Sequence, residues 1–454
     1  MPKIVINELD LTTPGGSGES TDVVYIPGFV VSGADIKVGK PELFTSVSQF
    51  NTRCGAVAPR FAADQPYPLA NDENEVGFSA SATKGLSENA VMFKAETADP
   101  SYVMAKELLA AGLTVLYERV NKDSDTISVD TMYSYLSSSA YQISDIAGIS
   151  DRGNYSVKYL TSGGYPTFEY DGGSIVTAML GLAENRGDCV ALIDHLDNTA
   201  RTIDPASSDS VFKTVSTSTL FDTKGDFGAM FTPWATYNRV TADTDPEDDT
   251  KKVKVAFRAP GSFAYLAALA DSIKTNANWL AVAGAARGGV VNLAEGGMDV
   301  IIPNGVADKL QPRNPEDDMN IAINAITNIK PYGLTIWGNR TLKPIEDGLV
   351  ATSFLNVRNL ISDIKKTCYR VARKVTFEQD TDILWVNFKS DIAKLLDRMK
   401  SGYGISGYKI VRDNDRPEAT DKATLCAKII IYPTYAVEDF YITVVLQDNE
   451  VSVD

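Results

Sequence analysis

The strongest constraint on this chain is the order in which apolar periods change along it. Residues 101–112 (SYVMAKELLAAG) repeat at helical spacing and stop at a glycine, and 113–120 (LTVLYERV) follow as a strand. Residues 174–187 (SIVTAMLGLAENRG) read as a helix and 189–194 (CVALID) as a short, wholly apolar strand. In 262–274, Phe263, Leu266, Ala267, Ala270 and Ile273 fall on one helical stripe, with Ser262 placed to cap it after Pro260-Gly261. Met319, Ile323, Ile326 and Ile329 make a further stripe, read as a helix ended by Pro331 and Gly333, before a strand at 334–337 (LTIW). Two long helices are expected at about 353–372 and 382–399, then strands at 408–412 and 428–432. Strand–helix alternation of this kind predicts an α/β layer architecture, α+β in parts, with a mainly parallel sheet.

The two ends differ from this interior. Residues 1–11 read as a strand, joined to the rest by TTPGGSGESTD (12–22), which has no large apolar residue and reads as a flexible linker. Near the other end, Phe440, Ile442, Val444 and Leu446 share one face of a strand whose second face is also largely apolar. A strand held only by such a linker cannot bury its face locally.

Charge and composition remove several functions. Of 454 residues, 44% are hydrophobic and 22% charged, enough for ordinary cores. The net charge is −16, which repels phosphate backbones, so no nucleic-acid partner is expected. All of it lies in residues 1–330, because 331–454 hold 17 basic and 17 acidic residues. That change, with the proline, places a boundary near Lys330-Pro331. The acidic start lacks a signal-peptide pattern, and the longest apolar stretch, 174–183, is short of the roughly 18 residues of a membrane span, so no membrane insertion is expected.

No motif nominates an active site. The single histidine, His195, sits beside Asp194 without a Gly-x-Ser-x-Gly nucleophile turn and is expected to bond locally at a strand end. GAARGG (284–289) lacks the lysine of a phosphate loop and reads as a tight turn where backbones approach closely. The acidic runs 243–249 and 413–421 carry prolines inside any calcium-loop register and read as solvated loops. Cys54, Cys189, Cys368 and Cys426 have neither zinc nor disulfide spacing and read as reduced, mostly buried thiols. On the helix near 353–374, Lys366, Arg370, Arg373 and Lys374 line up as a basic strip, either a solvated face or a dock for an acidic protein.

Read in order, YSVKYLTSGGYPT (155–167), ENRGDCVALIDHLD (184–197), AMFTPWATYN (229–238), APGSFAYLAALA (259–270) and NWLAVAGAARGGV (278–290) resemble the body of contractile-tail sheath proteins. The C-terminal match is more specific: GLTIWGNRTL (333–342), FLNVRNLISDIKKT (354–367), FEQDTDILW (377–385), SGYGISGYKIV (401–411) and YPTYAVEDFYI (432–442). The resemblance covers roughly residues 155–445, departing where Gln379-Asp380 replaces the family's frequent Pro-Asn.

It implies a multidomain fold: an N-terminal arm and linker (1–22), a variable outer region (23–170), a subtilisin-like α/β body without protease activity (171–330), a C-terminal α/β sheath domain facing an inner tube (331–434) and a C-terminal strand arm (435–454). It further implies no enzyme activity and no cofactor or metal. Partners would be other copies in stacked six-fold rings, the inner tail tube, and baseplate and tail terminator proteins. The setting would be a bacteriophage virion or related injection machine, with assembly in the host cytoplasm. Contraction would drive the tube through a cell envelope. In the family the arms add strands to neighbouring subunits, which assigns that role to Ile4, Val5, Ile6 and Leu9 and to Phe440, Ile442, Val444 and Leu446; the basic strip Lys366, Arg370, Arg373 and Lys374 is the candidate face toward the tube. The competing expectations are a non-contractile self-assembling shell protein and an α/β metabolic enzyme.

Overall fold

The computed structural model describes residues 22–61, 98–143, 148–168, 170–195, 204–207, 210–241, 243–244, 252–253, 256–298, 300–346, 348–415 and 424–438. The first part forms β1 (Val23–Gly28), β2 (Glu42–Phe44), α1 (Val47–Cys54), α2 (Pro100–Ala111), β3 (Thr114–Arg119), α3 (Val129–Tyr135), β4 (Tyr159–Leu160), α4 (Ser174–Arg186), β5 (Val190–Ile193), α5 (Val211–Ser216) and β6 (Gly228–Thr232). There follow β7 (Ala235–Asn238), β8 (Asp243–Thr244), β9 (Lys252–Val253), β10 (Ala256–Ala259), α6 (Gly261–Ser272), α7 (Gly284–Arg287), β11 (Leu293–Met298), α8 (Asn304–Lys309), β12 (Asn324–Ile329) and β13 (Gly333–Trp337). Last come α9 (Leu355–Val375), α10 (Asp382–Ser401), β14 (Ile405–Arg412) and β15 (Ala427–Pro433).

One sheet has the order β13-β12-β6-β5-β4-β1-β3-β2. From β12 to β3 the neighbours are parallel; β13 and β2 close the edges antiparallel. Alternate residues of a strand point to opposite faces, and both faces here are apolar. Val23 and Tyr25 of β1 join one core with Met179 and Leu180 of α4, while Val24 and Ile26 join a second with Tyr102 of α2 and Leu266 of α6. The sheet takes strands from both sides of residue 170 and both sides of residue 330. The mixed α/β architecture expected from the periodicity is therefore present.

The helix α2 shows why its ends fall where they do. Asp99 caps it, accepting from the N–H groups of Ser101 and Tyr102, Pro100 opens it, and Gly112 takes a left-handed φ of 102° beyond its last residue. Two expectations need correction. Ser262 does not cap α6. Pro260 occupies that position, and the buried Ser262 hydroxyl donates instead to Asp194 Oδ2 at 3.0 Å. The predicted helix over Met319–Ile329 is the strand β12, hairpinned through Lys330-Pro331 to β13. Its Ala325 faces one core and Ile326 the other. With Asn324 and Thr327 also buried, polar and apolar residues do not alternate along β12, and isoleucines three apart imitate a helical stripe.

A third apolar core is separate. Leu360, Ile364 and Val371 of α9 pack with Phe388, Ile392, Leu396 and Met399 of α10 and with Ile405 and Ile410 of β14. Among the described residues, no helix is long and apolar enough to cross a membrane.

Candidate assembly site

In doubly wound sheets, ligands enter the crevice at the carboxyl ends of the strands where the winding reverses. Here that place lies beyond β1 and β4, and the chain fills it. Asp99 accepts from the Phe29 N–H at 3.1 Å, the Ser101 hydroxyl at 2.9 Å and the Tyr165 hydroxyl at 2.8 Å. Burial pushes its carboxyl up to about 6, against the pull of those donors. A Cβ on Gly28 would fall 2.0 Å from the Tyr117 hydroxyl oxygen, and one on Gly163 2.6 Å from the Pro27 carbonyl. The crevice is a packed joint of the fold.

The remaining candidates are structural too. His195 is buried just after β5; its carbonyl accepts from Trp234 Nε1 at 2.6 Å and its ring meets Phe212 edge-on. Ser262 bonds Asp194 directly, with no imidazole between them as a catalytic triad needs. GAARGG contains the short α7 and then lies along β13: Gly288 accepts from Ile336 N–H at 2.8 Å and Val290 N–H donates to Leu334 at 2.9 Å, the close backbone approach expected. All four cysteines are free thiols, Cys54 and Cys189 buried and Cys368 and Cys426 half-buried. Of the acidic runs, residues 245–249 and 416–421 lie outside the described residues. Among those described, no group of three or more His, Cys, Asp or Glu side chains could hold a metal ion.

What the geometry does single out is the C-terminal unit and the anchors at Asp22 and Glu438, the described residues next to the two expected arms. β14 and β15 pair antiparallel from Ile405↔Pro433 to Arg412↔Ala427 and form a sheet of their own. Among the described residues, neither outer edge has a partner strand. One face lies on α9 and α10 through Ile429 and Ile431, and Tyr432 is 56% exposed.

At the N-terminal root, Lys158 Nζ lies 2.8 Å from Asp22 Oδ1 and 3.0 Å from Asp363 Oδ2 of α9, all three side chains buried. Burial alone would lower the Lys158 ammonium, but the charges of Asp22 and Asp363 outweigh it and hold it above the usual lysine range. Burial raises the Asp363 carboxyl, with Lys158 opposing. At the C-terminal root, Glu438 is held bidentately by the buried Arg340, with Nε to Oε1 at 3.2 Å, and Tyr435 packs on Phe354 with ring centroids 5.1 Å apart. The sequence reading missed both anchors, because their partners are 136, 205 and 98 residues apart. The only local signal was a lysine set among the apolar residues of SVKYL.

The arm residues Ile4, Val5, Ile6, Leu9, Phe440, Ile442, Val444 and Leu446 lie outside the described residues. The strip on α9 is divided. Arg370, Arg373 and Lys374 are exposed, Arg373 reaching the Gly153 carbonyl at 3.4 Å. Lys366 is half-buried and turned to the body, where burial pushes its ammonium down to about 8 despite Asp188 and Asp363. Nearer the start of α9 the contact with the body is also polar: Arg358 lies 3.4 Å from Asp226, and Asn359 donates to the Tyr265 hydroxyl at 3.1 Å.

No protein-family model matches the sequence, and no curated protein does. Solved structures match over nearly the whole chain. The sheath complex of an extracellular contractile injection system, PVC, in its contracted state aligns at TM-score 0.56 and 16% identity, covering 99% of this chain and 98% of its own. The helical sheath of the anti-feeding prophage (AFP) in its contracted state aligns at 0.54 and 15%, covering 98% and 99%. The fold resembles that of these contractile-sheath structures. A chain of the contracted AFP baseplate structure matches at 0.58 and 15%, covering 99% of each. The match takes in the separate C-terminal unit, and at this identity it is a likeness of architecture.

Proposed function

We propose that this chain is the structural subunit of a contractile sheath, polymerising as stacked six-fold rings around an inner tube. The observation that carries the reading is the fold match with sheath structures over nearly the whole chain, together with a two-stranded sheet whose outer edges have no partner strand among the described residues. An isolated pair of strands is marginally stable, and an open edge is a template for another strand. The N-terminal strand Lys3–Leu9 and the C-terminal strand Glu438–Gln447 have the alternation to fill such edges on neighbouring copies. Each added hydrogen bond contributes about 0.5–1.5 kcal/mol net. Several per strand, with buried Ile, Phe, Val and Leu, make a link that survives sliding and rotation of subunits. Such contacts are heterologous, so they generate rings and helices.

In this reading the extended sheath is kinetically trapped and contracts to a more extensively buried state, driving the tube through a target envelope. The energy resides in interfaces; the packed crevice at Asp99 supports a structural role over a catalytic one. The particle would hold the sheath between baseplate and terminator proteins after assembly in the host cytoplasm. Arg370, Arg373 and Lys374, with Lys366 at the margin, would face the tube through wet charge pairs worth about 0–1 kcal/mol each, weak enough to release. Electron microscopy of the purified chain tests the reading: tubes of stacked six-fold rings are expected, whereas closed shells or discrete oligomers contradict it. Charge reversal at the exposed Arg370, Arg373 and Lys374 should stop assembly around tubes and leave the monomer folded; normal assembly would end the tube assignment.

A further inference from the structure

The loop between α6 and α7 holds two adjacent residues, one bonded at the N-terminal root and the other set in the C-terminal unit. Asn278 donates from Nδ2 to Asp22 Oδ2 at 3.2 Å, at the first described residue. Trp279 is 6% exposed and wedges into the apolar core of the α9–α10–β14–β15 unit. Its Nε1–H donates to the Gly402 carbonyl at 3.0 Å. A Cβ on Gly402 would lie 2.7 Å from the indole and one on Gly404 2.6 Å from it, so the turn from α10 into β14 is moulded on the ring. The Gly404 carbonyl in turn accepts the Thr434 N–H at 3.1 Å, just beyond β15 and shortly before Glu438.

We propose that Asn278 and Trp279 are positioning residues that couple the two arms: displacement of the N-terminal root at Asp22 is passed through this loop to the open strand pair and the C-terminal root. The physical basis is close packing. A ring clasped by two side-chain-free residues has no room to slide, so motion of its covalent neighbour must move the turn as well. The triad at Lys158 also reaches the unit, but it ends on α9 and touches neither Gly402 nor Gly404. The geometry stands by itself; its purpose, a sheath subunit whose two arms respond together, rests on the proposed function.

Amide hydrogen exchange on the full-length monomer tests the coupling. N278A leaves the indole socket and the Lys158 triad intact, and should speed exchange at Gly404 and Thr434 roughly threefold or more without changing β5 and β6. W279F keeps a ring in the socket but loses the indole N–H. It should speed exchange at Lys158, whose N–H donates to Val23 at 2.8 Å beside the N-terminal root. Melting curves confirm that both variants fold. If N278A leaves Gly404 and Thr434 at the wild-type rate, the coupling is wrong, and an unchanged Lys158 in W279F overturns it equally. Either failure is independent of polymer formation, whereas failure of the sheath reading would appear as absent tubes with the exchange cross-talk intact.

Discussion

The α/β body and the C-terminal unit are built from similar residues and finished to different degrees. In the body, β1, β3 and β5 are buried at every position, with apolar layers on both faces and antiparallel strands at both sheet edges. In the C-terminal unit, β15 has no fully buried residue, and Phe377, Ile383 and Tyr403 are 94%, 73% and 80% exposed. The two are joined along α9 by a largely polar seam that ends at the N-terminal root. The body's main sheet is covered on both faces by elements of the same copy. Among the described residues the unit's two-stranded sheet is covered on one face, by α9 and α10, which leaves it marginal by itself.

The contrast can be broken most severely by removing the strand that would complete the unit. Deleting residues 1–21 spares Asp22 and should abolish polymers while leaving a folded monomer, read by its melting curve. Long sheaths from the truncated protein, seen by electron microscopy, would place the link elsewhere. The seam comes next. Lys158→Met leaves the Asp22 and Asp363 carboxylates buried together and should cost about 3–5 kcal/mol in urea unfolding. Adding D22N and D363N should restore most of that, because three neutral side chains leave no uncompensated charge. A single variant as stable as the wild type would mean the seam contributes little.

A smaller effect sharpens the account of the body. Asp99 titrates near 6 when folded and near 3.8 when unfolded, so between those values the folded state holds the extra proton. This group therefore favours the folded state most below about pH 4. Its contribution falls as pH rises to about 6, by about 2–3 kcal/mol, and is level above. Comparing urea unfolding of the wild type and D99N across that window should show this slope missing in the variant. The smallest effect lies in the unit: Phe377 holds φ at 73° with its side chain in solvent, so F377G should raise thermal stability by about 0.5–1 kcal/mol, and a loss would show that the ring has a partner.

The sequence made some of this legible and not the rest, for physical reasons. The helices α2 and α4 could be read because each stops at a glycine that takes a left-handed φ, Gly112 and Gly187, and the strand β5 because its short apolar run follows such a stop. The α9–α10 pair and β14–β15 could be read because one-sided burial leaves clear periods. β12 could not, since burial on both faces removes the period that distinguishes strand from helix. Ser262 looked like a cap because its donor to Asp194 acts across a long sequence separation. The arm anchors at Lys158 and Arg340 were invisible for the same reason, and Lys366 looked like its exposed neighbours until α9 was docked on the body.

The central claim is that the β14–β15 sheet of one copy is completed by a strand from another. Electron cryomicroscopy of the assembled polymer tests it directly. The account predicts a strand from a different subunit hydrogen-bonded along an edge of β14 or β15, continuing from that subunit's Asp22 or Glu438. Both edges bare in the polymer, or both filled by the chain's own ends, would contradict it.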